Sequence, residues 1–126
     1  MTIKSVHHIK LTVSDLHRSK LFYEKLPGFK LVAQHLDFYM FSCGKFYVGI
    51  TTHKDKQRLK EFTEYNVGLD HVSFEVDTSL DEILPFLDSN KIEHGEIKKL
   101  SNNLHVLAFR DPDNIQLEFS WRENHE

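Results

Sequence analysis

The chain has 126 residues, of which 40% are hydrophobic and 28% charged, a length and balance that suit one globular domain with a core of its own. A net charge of −3, with no Lys/Arg cluster set beside a stacking platform, excludes a general electrostatic attraction to nucleic acid and leaves small molecules or proteins as partners. The lone cysteine, Cys43, excludes an intrachain disulfide; with no charged-then-apolar leader and no long apolar run, the expectation is a cytoplasmic protein without membrane contact.

From Ile3 to Val13 the apolar Ile9, Leu11 and Val13 alternate with His8, Lys10 and Thr12. This is the period of a half-buried strand, and it puts His8, Lys10 and Thr12 on one face. Ser14-Asp15 can cap a short amphipathic helix carrying Leu16, Phe22, Tyr23 and Leu26, stopped by Pro27-Gly28. Phe29 to Ala33, Phe38 to Ser42 and Phe46 to Thr52 read as three further strands, with Cys43-Gly44-Lys45 as a hairpin turn. Residues 54–66 are polar and charged, lack strand alternation, and read as a linker. A strand is then predicted from Leu69 to Val76. Ser79-x-x-Glu82 resembles a capping box in front of Leu80, Ile83, Leu84 and Leu87, while Pro85 demands a kink or a later helix start. Gly95 to Lys99, His105 to Phe109 and Ile115 to Ser120 complete the strands, with Asp111-Pro112-Asp113-Asn114 as a turn. The expected class is α+β, built from two βαβββ modules in a single domain (1–53 and 67–120).

The modules echo one another. His8-Ile9-Lys10-Leu11-Thr12-Val13 with Ser14-Asp15-Leu16 recurs as His71-Val72-Ser73-Phe74-Glu75-Val76 with Ser79-Leu80, and the two histidines stand half a chain length apart, as in an internal duplication. In the last strand Gln116, Glu118 and Ser120 share the polar face. Two imidazoles, His8 and His71, and the Glu118 carboxylate are the ligand types of a facial triad that grips a divalent metal and leaves positions open. Lys10, on the His8 face, is a candidate to hold an anionic substrate or act as a base, against the plainer reading of a snorkelling lysine. His53 shares the parity of Gly49 and Thr51 and is a candidate acid/base. Ser73, Glu75 and Gln116 are candidates to contact substrate or orient the ligands. His7 has the opposite parity and is expected outside or solvated. His17, His35, His94, His105 and His125 show no ligand spacing, and Cys43 has no partner base.

Three segments, Val6-His7-His8-Ile9-x-Leu11-x-Val13-x-Asp15-Leu16 with Ser19-x-x-Phe22-Tyr23-x-x-Leu26-x-Gly28-Phe29, then Gly68-Leu69-Asp70-His71-Val72-x-Phe74-x-Val76, then Phe109-Arg110-Asp111-Pro112-Asp113-Asn114-x-x-Leu117-Glu118-Phe119, resemble the vicinal oxygen chelate superfamily. That group comprises the glyoxalases, extradiol dioxygenases, fosfomycin-resistance enzymes and bleomycin-resistance proteins. The resemblance implies a half-open eight-stranded barrel around a central cavity, a divalent metal (zinc, nickel, manganese or iron) on His8, His71 and Glu118, a small oxygenated substrate, and a homodimer. It also implies a glyoxalase-like lyase or isomerase, or a ring-cleaving dioxygenase, with Glu118, Lys10 and His53 as the catalytic candidates. Gly49, opposite Glu118 when the halves are aligned, departs from the fourth acidic ligand usual in glyoxalase I. Lys10 stands where fosfomycin-resistance enzymes typically carry threonine. Bleomycin-binding members lack the ligands, and a non-catalytic small-molecule or antibiotic binder is the alternative.

Overall fold

The computed structural model describes residues 1–123, and the chain divides into two compact units, Met1–Lys60 and Glu61–Glu126. The first contains β1 (His8–Thr12), α1 (Leu16–Tyr23), β2 (Phe29–Gln34), β3 (Phe38–Cys43) and β4 (Phe46–Thr51). Its sheet has the order β1-β4-β3-β2, with β1 parallel to β4 and the other pairs antiparallel. The alternation read from the sequence holds: Leu11 and Val13 are buried, while His8, Lys10 and Thr12 are exposed. The Asp15 carboxylate caps α1 by accepting from the Arg18 amide at 3.0 Å, which satisfies one of the amides that a helix start leaves open. The chain leaves α1 through Gly28 at φ +85°, a backbone state that costs side-chain-bearing residues energy. Tyr23, Phe41, Val48 and Ile50 are fully buried, and the rings of Tyr23, Phe29 and Phe41 pack with centroids 6.0–6.4 Å apart.

Residues 1–7 form no strand, so the strand expected from Ile3 starts only at His8. Among the described residues β1 pairs only with β4, which offers Tyr47 opposite His8 and nothing earlier in the ladder. Ile3 and Val6 are accordingly 91% and 64% exposed.

The second unit repeats the plan with β5 (Val72–Glu75), α2 (Leu84–Ser89), β6 (Lys98–Lys99), β7 (Leu104–Arg110) and β8 (Gln116–Arg122), in the order β5-β8-β7-β6. The α+β class and the two βαβββ modules are as expected, and among the described residues neither four-stranded sheet closes on itself. Ser79 caps a 3-10 turn, Leu80–Glu82, and Pro85 lies in the first turn of α2, where its missing amide costs no hydrogen bond. β5 is shorter than the predicted 69–76 because its ladder with β8 begins at Val72↔Leu117. The strand expected over 95–99 shrinks further. His94 bridges Phe109, but Lys98 pairs with Val106, so one extra residue has entered this strand and the ladder breaks there, as at a bulge.

Phe109 and Phe119, 1% and 2% exposed, stack in the core with centroids 4.4 Å apart and planes 19° from parallel. The β7–β8 turn is tied by the buried Asp111 carboxylate, which accepts from the amides of Asp113 (2.9 Å) and Ile115 (2.8 Å), with Asn114 at φ +65°. That turn sets the register that pairs Glu118 with Ala108 on one side and Ser73 on the other. The segment from Glu61 is anchored by a two-pronged pair in which Arg110 donates to both Glu64 oxygens, at 2.9 and 3.2 Å, and holds that carboxyl at about 2. Among the described residues no helix is long and apolar enough to cross a membrane.

His94 locks the end of α2. Its Nε2 donates to the Asp88 carboxylate and its Nδ1 to the Gly95 carbonyl, both at 2.7 Å. Only an imidazolium has a proton for each, and the Asp88 bond, followed by the Gly95 bond, raises the His94 pKa above its ordinary value of 6.5. Because the folded value is the higher one, the resulting stabilisation is fully present below the unfolded pKa and disappears as pH rises through the folded one. Asp88 is largely exposed, so the effect is small. Denaturation midpoints of wild type and Asp88→Asn should differ at about pH 5.5 and converge near about pH 8.5; an equal gap at both would refute the lock.

Candidate metal centre and substrate face

In the second unit, His71 directly precedes β5 and Glu118 is the third residue of β8. Glu118 pairs with Ser73, two residues beyond His71, so the parallel register brings the two side chains to the same end of the same face. His71 Nε2 stands 3.7 Å from Glu118 Oε1. The other ring nitrogen, Nδ1, donates to the Asp70 carboxylate at 2.7 Å, and Gln116 holds Asp70 in turn, donating to its carbonyl at 3.1 Å and its carboxylate at 3.2 Å. With the proton on Nδ1, the Nε2 lone pair faces the glutamate. A lone pair and a carboxylate oxygen repel unless a proton or a cation lies between them. Their separation is within about half an ångström of the ~3.4 Å expected for two ligands ~2.1 Å from one tetrahedral ion, and a carboxylate–histidine pair is the usual support of a metal-binding imidazole. These two donors therefore fit a divalent ion.

In the first unit, His8, Lys10 and Thr12 lie on the exposed face of β1, and the register sets Tyr47, Gly49 and Thr51 of β4 beside them, then Met40 and Phe38 of β3. The rings of His7 and His8 meet edge to face, with their Nδ1 atoms 2.8 Å apart. His7, exposed as its parity suggested, lies beside His8 and 5.3 Å from the Tyr47 ring, in a segment that precedes the strand geometry of β1. Two facing Nδ1 atoms share one proton; the tautomer that frees His8 Nε2 as a ligand has His8 donating to His7. Lys10 carries its amino group to 4.1 Å from the Phe38 ring centroid. His53, just past β4, places Nε2 3.5 Å from the Thr12 hydroxyl, so it reaches the same face.

Of the predicted ligands, His71 and Glu118 come together in one unit and His8 belongs to the other. Among the described residues no group of three His, Cys, Asp or Glu side chains stands close enough to hold a metal ion. The sequence reading assigns no role to Asp70, which flanks the predicted ligand His71, since periodicity is silent on residues flanking a strand. Gln116, a candidate from strand parity, reaches the site through Asp70. Cys43 is half-buried, and burial pushes its thiol up, away from the reactive thiolate. His125 lies outside the described residues.

Residues 5–119 match the family described as the Glyoxalase/Bleomycin resistance protein/Dioxygenase superfamily. A metallothiol transferase, FosB, of Lysinibacillus sphaericus is 26% identical over 94% of this chain and 83% of its own. A glyoxylase/bleomycin resistance protein/dioxygenase domain from Frankia superposes with a TM-score of 0.82 at 27% identity, over 97% of this chain and all of that one. The fosfomycin resistance protein FosX of Listeria monocytogenes shares the fold, with a TM-score of 0.76 at 21% identity over 97% and 96% of the two chains.

Proposed function

Since the chain belongs to the Glyoxalase/Bleomycin resistance protein/Dioxygenase superfamily, we propose that it is a metal-dependent enzyme acting on a small oxygenated compound, with His8, His71 and Glu118 as the protein ligands. The observation that carries this reading is the His71–Glu118 pair, 3.7 Å apart with Asp70 and Gln116 fixing the imidazole behind it. A bound divalent ion would act as a Lewis acid, drawing neighbouring substrate oxygens to itself and stabilising negative charge on one of them. The chain's own groups do the rest. Asp70 keeps the His71 Nε2 lone pair pointed at the site, and Glu118, besides holding the ion, takes or returns a proton as the substrate's charge changes. Lys10 faces the substrate as a cation, and His53 serves as acid or base beside Thr12. Phe38, Met40 and Tyr47 supply the apolar wall common in small-molecule sites.

Zinc, nickel, manganese and iron all suit this donor set. A lyase or isomerase would work with redox-silent ions, whereas ring cleavage needs iron or manganese and consumes oxygen. The protein should carry close to one divalent metal per chain when purified without a nickel column, read by plasma mass spectrometry, and oxygen uptake with the loaded protein separates the two chemistries. A chain that stays empty after reconstitution with all four ions would instead support a non-catalytic small-molecule or antibiotic binder, the reading favoured by the apolar wall. We further propose a cytoplasmic homodimer, which light scattering showing only monomer would eliminate.

A further inference from the structure

We infer that Lys10 is the recognition group for an oxyanion, a carboxylate, phosphate or phosphonate carried by the substrate, and that Gly49 exists to let it work. The inference rests on the reading that the His8 face takes the substrate.

The two units place different chemistry at one equivalent spot. In the second, the register pairs Ser73 on β5 with Glu118 on β8; in the first, the corresponding pair is Lys10 on β1 with Gly49 on β4. A small residue faces a long charged one in both, but the long one has changed strand and sign. Where the second unit projects a carboxylate, the first projects an ammonium from the neighbouring strand.

The Lys10 side chain does not snorkel outward from its edge strand. Its stem crosses β4 directly above Gly49, where an added Cβ would stand 3.3 Å from Lys10 Cγ and 3.2 Å from Met40 Cε, tighter than ordinary carbon contacts. A side chain at position 49 would therefore contest the path of Lys10. Beyond the glycine, the amino group ends over Phe38 of β3, whose ring His35 also stacks upon at 4.3 Å. A cation resting on an aromatic face is held in place yet keeps its N–H donors for a ligand, because the ring accepts charge without using up a hydrogen bond. Among the described residues no carboxylate lies within ion-pair distance of Lys10. An exposed cation fixed in position, without a protein anion, on the face that carries His8 and Thr12, is complementary to an anionic ligand.

The test titrates the full-length chain as purified with inorganic phosphate, with glycolate, and with neutral ethylene glycol, following backbone and Lys Hε–Cε signals by NMR. Metal content is measured on the same samples. The expected result is saturable binding of phosphate or glycolate, with shifts centred on Lys10, Phe38 and Gly49, none with ethylene glycol, a loss of at least about tenfold in Lys10→Met, and retention within about threefold in Lys10→Arg. Whichever anion binds more tightly identifies the acid. Shifts centred elsewhere, equal affinity in Lys10→Met, or no binding of either anion would overturn the inference. Lys10 is exposed, so both variants should fold, and an unchanged thermal midpoint confirms it. A chain free of metal that binds phosphate through Lys10 keeps this inference and loses the metal centre; a chain that loads metal and ignores both anions does the reverse.

Discussion

Replacing His71 with alanine is expected to lower divalent-metal affinity by about a hundredfold or more, the scale of one ligand's share in a protein site whose total binding energy is ~10–16 kcal/mol. Two features make this side chain the sensitive one. Its Nε2 is the nitrogen aimed at Glu118, and Asp70 holds the proton on the opposite nitrogen, so alanine removes a donor already oriented for coordination. Asp70→Asn should cost less, about 10- to 100-fold, because an amide oxygen still accepts from Nδ1 but polarises the ring less. The ordering His71→Ala below Asp70→Asn below wild type is the specific signature. Competition for zinc against a chromophoric chelator measures it, and equal affinity in all three proteins would show that the pair is not a metal site. Neither residue belongs to the core, so denaturation midpoints should stay close to that of wild type.

The opposite pattern is expected for Phe109→Ala, which should destabilise the protein by about 3–5 kcal/mol, the usual cost of emptying a buried phenylalanine site. Phe109 is 1% exposed and stacked on Phe119; the lost ring contact accounts for ~0.5–1.5 kcal/mol of this, and the rest is lost transfer energy and residual cavity. Both rings sit on the strands that carry Ala108 and Glu118, so metal binding should fail together with the fold as denaturant is added, at a lower midpoint. Urea unfolding followed by the single tryptophan, Trp121, tests this. A cost below about 1 kcal/mol would mean that the second unit's core closes around the gap.

The period-two alternation of 8–13 and 115–120, the Ser14-Asp15 cap, Pro85 and the Asp111–Asn114 turn are local signals, since each reports which backbone state a few neighbouring residues prefer. They were enough for the order of elements and the α+β class, and the echo of His8 in His71 pointed to the duplication. The ends of strands were less legible, because Ile3 and Val6 are as apolar as core residues and only the lack of a ladder partner leaves them outside. The break before Lys98 likewise depends on one extra residue relative to β7, a mismatch between distant segments.

The candidate site divides in the same way. The amino-acid sequence alone determined which residue types lie on the polar faces, because side-chain direction follows from strand parity. Tertiary structure alone decided which of them meet. The Asp70–His71–Glu118 chain and the crossing of Lys10 over Gly49 arise from the parallel registers β5–β8 and β1–β4, whose partners lie tens of residues apart. Pairing of that kind is chosen by the burial of opposite faces and by the turns between strands, and no local pattern around a single residue records it.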